Sequence, residues 1–120
     1  MQASATGLAI MSRYSDDRIE DYISQGLVQV TEKTITDPDA LRAKIDKVRE
    51  LGYSTNDRGL SDGICSTGAA MVDAEGKPIA SVSVSGPSSR LSPDRLNEYG
   101  PKAAAAARAI SSEVCRLGPI

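Results

Sequence analysis

The chain has 120 residues, enough for one domain and one core, and its 14 basic residues are nearly balanced by 16 acidic ones. That balance leaves no basic surface to grip a phosphate backbone, so nucleic-acid binding by this chain alone is not expected. Histidine is absent, which removes Ser-His-Asp and Cys-His catalysis and every His-containing metal site, and no apolar run is long enough to span a bilayer.

The opening, MQASATGLAIMSR, lacks the basic region of a secretory signal, and this points to the cytoplasm. Ser4 to about Tyr14 reads as a helix, with Leu8, Ile10 and Met11 as its apolar contacts. Ser15 caps a second helix whose first turn carries Asp16 and Asp17, where negative charge is favourable. Ile19, Tyr22 and Ile23 give it an apolar face and Gly26 ends it. Leu27 to Val30 reads as a short extended segment. Thr36-Asp37-Pro38 is a helix start, with Asp37 as cap and Pro38 at the first helical position. Leu41, Ile45, Val48 and Leu51 mark one face of that helix, and Gly52 stops it.

Tyr53 to Thr55 reads as a short strand and Arg58 to Asp62 as a loop. Gly63 to Val72 and Lys77 to Ser85 then form a hairpin around Asp73-Ala74-Glu75-Gly76. Alternation along the second strand puts Ala80, Val82 and Val84 on one face, and Ile79, Ser81, Ser83 and Ser85 on the other. With Val72 opposite Lys77, Ser66 faces Ser83 and extends the hydroxyl stripe onto the neighbouring strand. A one-residue slip would turn Cys65 and Thr67 to that face instead. Ser92-Pro93 starts a short helix, and Gly100-Pro101 breaks it and starts another. Along the last helix Ala103, Ala107, Ile110, Val114 and Leu117 share a face to the C-terminus. Helices followed by a strand, a hairpin and a closing helix predict an α+β domain with an antiparallel sheet.

The stripe Ser66, Ser81, Ser83 and Ser85 has two readings. It is either the wet side of an antiparallel sheet or the floor of a pocket, the small side chains leaving room for a ligand. Cys65 has no histidine to activate it, so catalysis there is not expected. Cys65 and Cys115 sit in no paired motif; one disulfide is formally possible, but two isolated thiols in a cytosolic chain read as buried and reduced. Asp57 and Asp62 flank a glycine-containing loop without the spacing of an oxygen-ligand site, and Gly59 and Gly63 are too scattered for a phosphate loop. No catalytic residue, metal or cofactor follows from these patterns. A core without Phe or Trp is thin, and further apolar cover from another chain, as in a homo-oligomer, is expected.

SVSVSGPSSRLSPDRL, from Ser81, resembles the signature of the C-terminal effector-binding domain of IclR-family bacterial transcriptional regulators. ASATGLAIMSRYSDDRIEDYI, TEKTITDPDALRAKIDKVRELGYSTN and GICSTGAAMVDAEGKPIA agree in order and spacing, as does AAAAARAISSEV at the end. The similarity runs over essentially the whole chain and rests on Thr31 and Thr34, on Val48 to Tyr53 and on Ser85 to Pro87. It implies a GAF-like (profilin-like) fold, an antiparallel sheet with helices on one face and a ligand cavity on the other. It also implies a non-enzymatic sensor, in which a small organic or aromatic acid alters DNA binding by an attached winged helix-turn-helix domain. Residues 1–120 would be a partial effector-binding domain, lacking the winged helix, the linker helix and the first strands. Carried over by position, backbone amides near Ala5 and Thr6 receive the carboxylate. Ser83 and Ser85 donate hydroxyl hydrogen bonds, Asn56 stands where the family often has Asp, and Ser66 where it often has Cys. Ala70 replaces a common proline. The alternative is a dimerisation or structural module with a vestigial pocket.

Overall fold

A computed structural model describes residues 1–117. Helix α1 spans Ala5–Met11, α2 Asp16–Ser24 and α3 Pro38–Leu51. Strands β1 (Ser54–Asp57), β2 (Ile64–Val72) and β3 (Pro78–Pro87) follow, and α4 runs Pro93–Leu117. The strands form one antiparallel sheet in the order β1-β2-β3, the α+β architecture expected from the sequence.

The helix starts follow their caps. Ser4, Ser15 and Asp37 each accept a hydrogen bond from the backbone N–H three residues on, in α1, α2 and α3. Gly52, at φ 83°, closes α3 in the left-handed conformation that a Cβ would penalise. Helix α1 ends earlier than the periodicity predicts: Ser12 caps it, and Arg13 and Tyr14 turn away. Leu27 to Val30 joins no sheet; it is an irregular connection whose Val28 carbonyl accepts from the Gln2 side chain.

The hairpin forms where predicted, its turn held by Asp73, whose Oδ1 accepts from the Glu75 and Lys77 amides. The register differs. Ser66 faces Ser85, and Gly68 faces Ser83, because an irregularity between Met71 and Val72 displaces the ladder. The displacement is two residues over most of its length. An even shift moves partners but turns no side chain over, so the hydroxyl face survives.

Helix α4 is one helix, and Gly100-Pro101 does not break it. Proline removes a donor from the ladder, at a cost of about 3 kcal/mol in a helix interior. The alanine run that follows favours helix, and the turn is seated on Tyr53. A Cβ at Gly100 would fall 2.3 Å from two Tyr53 ring carbons, so glycine lets the ring and helix touch. The buried stripe of α4 is Leu96, Gly100, Ala103, Ala104, Ala107 and Ser111. Ile110 and Leu117, expected on that face, are exposed at 43% and 72%. Ile110 lies off the stripe carried by Ala107 and Ser111, while Leu117 lies beyond Ser111, whose Oγ accepts from the Val72 amide at the end of β2. The last three residues lie outside the described region.

Three small clusters make the core, as a chain without Phe or Trp would suggest. Leu8, Met11, Ile19, Leu41 and Ile45 join α1, α2 and α3. Tyr53, Ala69, Ala103, Ala104 and Ala107 seat α4 on one face of the sheet, and Cys65, Leu91 and Leu96 extend that contact. Helix α1 lies on the opposite face, against all three strands, where Ser54 Oγ donates to the Ala5 carbonyl at 2.6 Å. Gly68 permits that approach, since a Cβ there would meet the same carbonyl at 3.1 Å.

Candidate functional site

The face of the sheet away from α4 carries Ser54, Asn56, Ser66, Gly68, Ser81, Ser83 and Ser85. Where α1 begins over this face, a cleft of about 110 Å³ opens. Ala5, Thr6, Asn56, Ser66, Ser83 and Ser85 all line it, so the structure brings together the six residues singled out by position. Four further wall residues were not anticipated: Ser4, Leu60, Ser61 and Ile64. Ile64 was legible, since it alternates with Ser66 on β2, whereas Leu60 and Ser61 come from a loop without period. Ser81 lies outside the cleft; its Oγ is buried with no partner among the described residues.

No charged side chain lines the cleft. Its donors are hydroxyls and amides. The first N–H groups of a helix have no partner within it, and those of Ala5 and Thr6 have no acceptor among the described residues. Ser4 Oγ accepts from Gly7 N at 3.0 Å and lies 3.2 Å from Thr6 Oγ1. Ser83 and Ser85 are exposed and Ser66 half-buried.

Asn56 has a different role from the serines. Its Nδ2 donates to the Ala3 carbonyl, and its Oδ1 accepts from Gly59 N at 2.7 Å. The side chain is 7% exposed and thereby ties the approach to α1 to the loop after β1. That loop is latched from behind. Thr31 Oγ1 donates to the Arg58 carbonyl at 2.7 Å and Thr34 Oγ1 to the Gly59 carbonyl at 2.6 Å. Thr34 Oγ1 also accepts from the Val30 and Thr31 amides. The latch holds Arg58 at φ 60°, a conformation uncommon outside glycine. The Thr-x-x-Thr element therefore shapes the cleft without touching it.

The opposite face carries Asp57 and Cys65. The Arg58 guanidinium beside Asp57 holds its carboxyl below the usual range, while burial and then Asp57 push the Cys65 thiol up. Cys65 is fully buried against Leu91 and Leu96. A shielded, protonated thiol is a poor nucleophile. Cys115, expected to be buried, is exposed near the end of α4.

Larger clefts lie elsewhere among the described residues. One, of about 230 Å³, separates α2 from α3, and its Arg42 and Arg49 are already matched to Glu20 and Asp16. Another, of about 240 Å³, lies behind Asn56 and contains Lys33 and Lys44. No helix among the described residues is long and apolar enough to cross a membrane.

Comparison with known proteins matches residues 1–112 to the family described as bacterial transcriptional regulator IclR C-terminal. The chain belongs to the IclR family. It is 34% identical over 113 residues to the HTH-type transcriptional repressor AllR of Klebsiella pneumoniae, covering 93% of this chain and 42% of the repressor. It is 30% identical over 112 residues to the transcriptional repressor IclR of Escherichia coli K12, covering 92% of this chain and 41% of that protein. The crystal structure of Thermotoga maritima IclR superimposes with a TM-score of 0.88 at 27% identity, over 95% of this chain and 47% of that one. The IclR-type chain thus spans about two-fifths of the length of the curated relatives it matches, in their C-terminal domain. Those relatives are transcriptional repressors, not enzymes.

Proposed function

We propose that this chain is the ligand-sensing part of an IclR-type regulator and that its ligand is a compact carboxylic acid. The observation that carries the reading is the uncharged cleft of about 110 Å³, whose walls join Ala5 and Thr6, with helix-start amides that have no acceptor among the described residues, to Ser66, Ser83 and Ser85. A carboxylate accepts hydrogen bonds and needs no counter-ion if enough donors converge on it. Ala5 and Thr6 would supply backbone N–H groups, and Ser66, Ser83 and Ser85 would supply O–H groups. Leu60 and Ile64 would cover the carbon skeleton. Drug-sized ligands fill pockets of roughly 300–1,000 Å³, so the dimensions favour a small aliphatic acid over an aromatic one.

In the longer protein, the acid would act through DNA-binding domains outside this chain. It would shift DNA occupancy only by its difference in affinity between two arrangements of them. The outer edge of β3 pairs with no strand among the described residues. Such an edge invites pairing with another strand, and a homo-oligomer or a further segment of the same protein would cover it. The test is calorimetric titration of the chain with a panel of aliphatic and aromatic monocarboxylates. Saturable binding of a compact member supports the reading. A panel with no binder would favour a structural module whose cleft is vestigial.

A further inference from the structure

The cleft behind Asn56 is more than twice the size of the first, and its walls are of different character. Lys33, Lys44, Thr55 and Asp57 line it with Leu8 and Ile35. Lys44 projects from α3 beside the buried residues Leu41, Ile45 and Val48, and it is half-buried. Its Nζ donates to Thr55 Oγ1 at 2.8 Å. An ammonium has three N–H donors, and the others have no acceptor among the described residues. Among the described residues neither Lys44 nor Lys33 joins an ion pair there, whereas Asp57 is engaged by Arg58 at 2.8 Å. Burial without a counter-ion disfavours the charged form, and the Lys44 pKa is accordingly lowered. The two remaining N–H donors of Lys44 are free to meet an anion in the cleft.

We infer that this cleft is a second ligand site, in which Lys44 and Lys33 hold the carboxylate of a short-chain aliphatic acid and Leu8 and Ile35 pack against its carbon chain. The paired apolar walls favour such an acid over a compact inorganic anion. Asn56 is the wall common to both clefts, its Nδ2 donating to the Ala3 carbonyl and its Oδ1 accepting from Gly59 N. This inference stands apart from the serine cleft and does not rest on it.

Titration of the ¹⁵N-labelled chain with butyrate, followed by NMR, tests it. Saturable amide shifts are expected at Ile35, Lys44 and Thr55. Lys44→Met should weaken those shifts' affinity at least about tenfold, the loss of charge-assisted hydrogen bonds. Lys33→Met, at an exposed position, should weaken it less and serves if Lys44→Met fails to fold. The Ser83→Ala/Ser85→Ala variant should leave it unchanged, which separates this site from the first. Shifts confined to the serine cleft, undiminished binding in both lysine variants, or inorganic phosphate matching butyrate would each overturn the assignment.

Discussion

Asn56→Asp isolates one atom of the framework that holds the cleft open. The substitution preserves shape and keeps an oxygen to accept from Gly59 N, but it replaces the donor that faces the Ala3 carbonyl. Asn56 is 7% exposed and Ala3 also 7%, so water can replace little of what is lost. An acceptor left unsatisfied at such a site costs about 1–3 kcal/mol. A carboxylate held against a carbonyl adds to this, so the deficit near pH 7 should reach about 2–4 kcal/mol. That is a large part of the 5–15 kcal/mol typical of a domain. Protonating the new Asp restores an O–H donor. Its folded-state pKa should therefore lie above the unfolded value of about 3.9. With the folded pKa raised, stability relative to the native chain is greatest below the unfolded value and falls as pH rises through the folded one. Urea denaturation of both proteins between about pH 4 and pH 8 reads the difference, with Asn56→Ala as a control whose deficit should not vary. Equal stability of Asn56→Asp and the native chain at the upper pH, or a deficit independent of pH, would refute the strut assigned to Asn56.

Thr34→Val keeps the shape of the latch while deleting its hydroxyl, which donates to Gly59 and accepts from two amides. A loss of about 2–3 kcal/mol in urea denaturation is expected, and a neutral result would contradict the latch. Lys44→Met should unfold at a higher temperature than the native chain near neutral pH. A lowered folded-state lysine pKa means that the native chain gains stability as pH rises from that value toward the ordinary one, while the Met variant shows no such rise. Thermal melts across alkaline pH check both statements, and a variant less stable at neutral pH would contradict them. Iodoacetamide should alkylate exposed Cys115 in the native protein and spare Cys65, which is fully buried with its pKa pushed up. Two adducts under native conditions, by intact mass, would place Cys65 wrongly.

The helix starts were legible because each rests on a local device, such as Asp37-Pro38 or Ser15 before two aspartates. The serine face was legible for a similar reason: strand alternation is local, and an even register error does not alter it. What escaped the sequence was tertiary. Pro101 reads as a break until Tyr53, far away in the chain, is seen beneath Gly100. Ile110 reads as core until Ala107 and Ser111 are seen to carry the buried stripe past it. Asn56 reads as a ligand contact from its position alone, and only the fold shows that its amide also ties Ala3 to Gly59. Leu60 and Ser61 reach the cleft only through a loop fixed by Thr31 and Thr34, and nothing periodic announces such a contact.

The claim on which the sensing account depends is that Ser83 and Ser85 grip a carboxylate. Calorimetry of Ser83→Ala/Ser85→Ala, against whichever compact acid binds the native chain best, tests it directly. Each hydrogen bond to a charged group contributes about 1.5–3 kcal/mol, so affinity should fall by a factor of roughly 100 or more with the melting temperature little changed. A double variant that folds and binds the acid as tightly as the native chain would contradict the account.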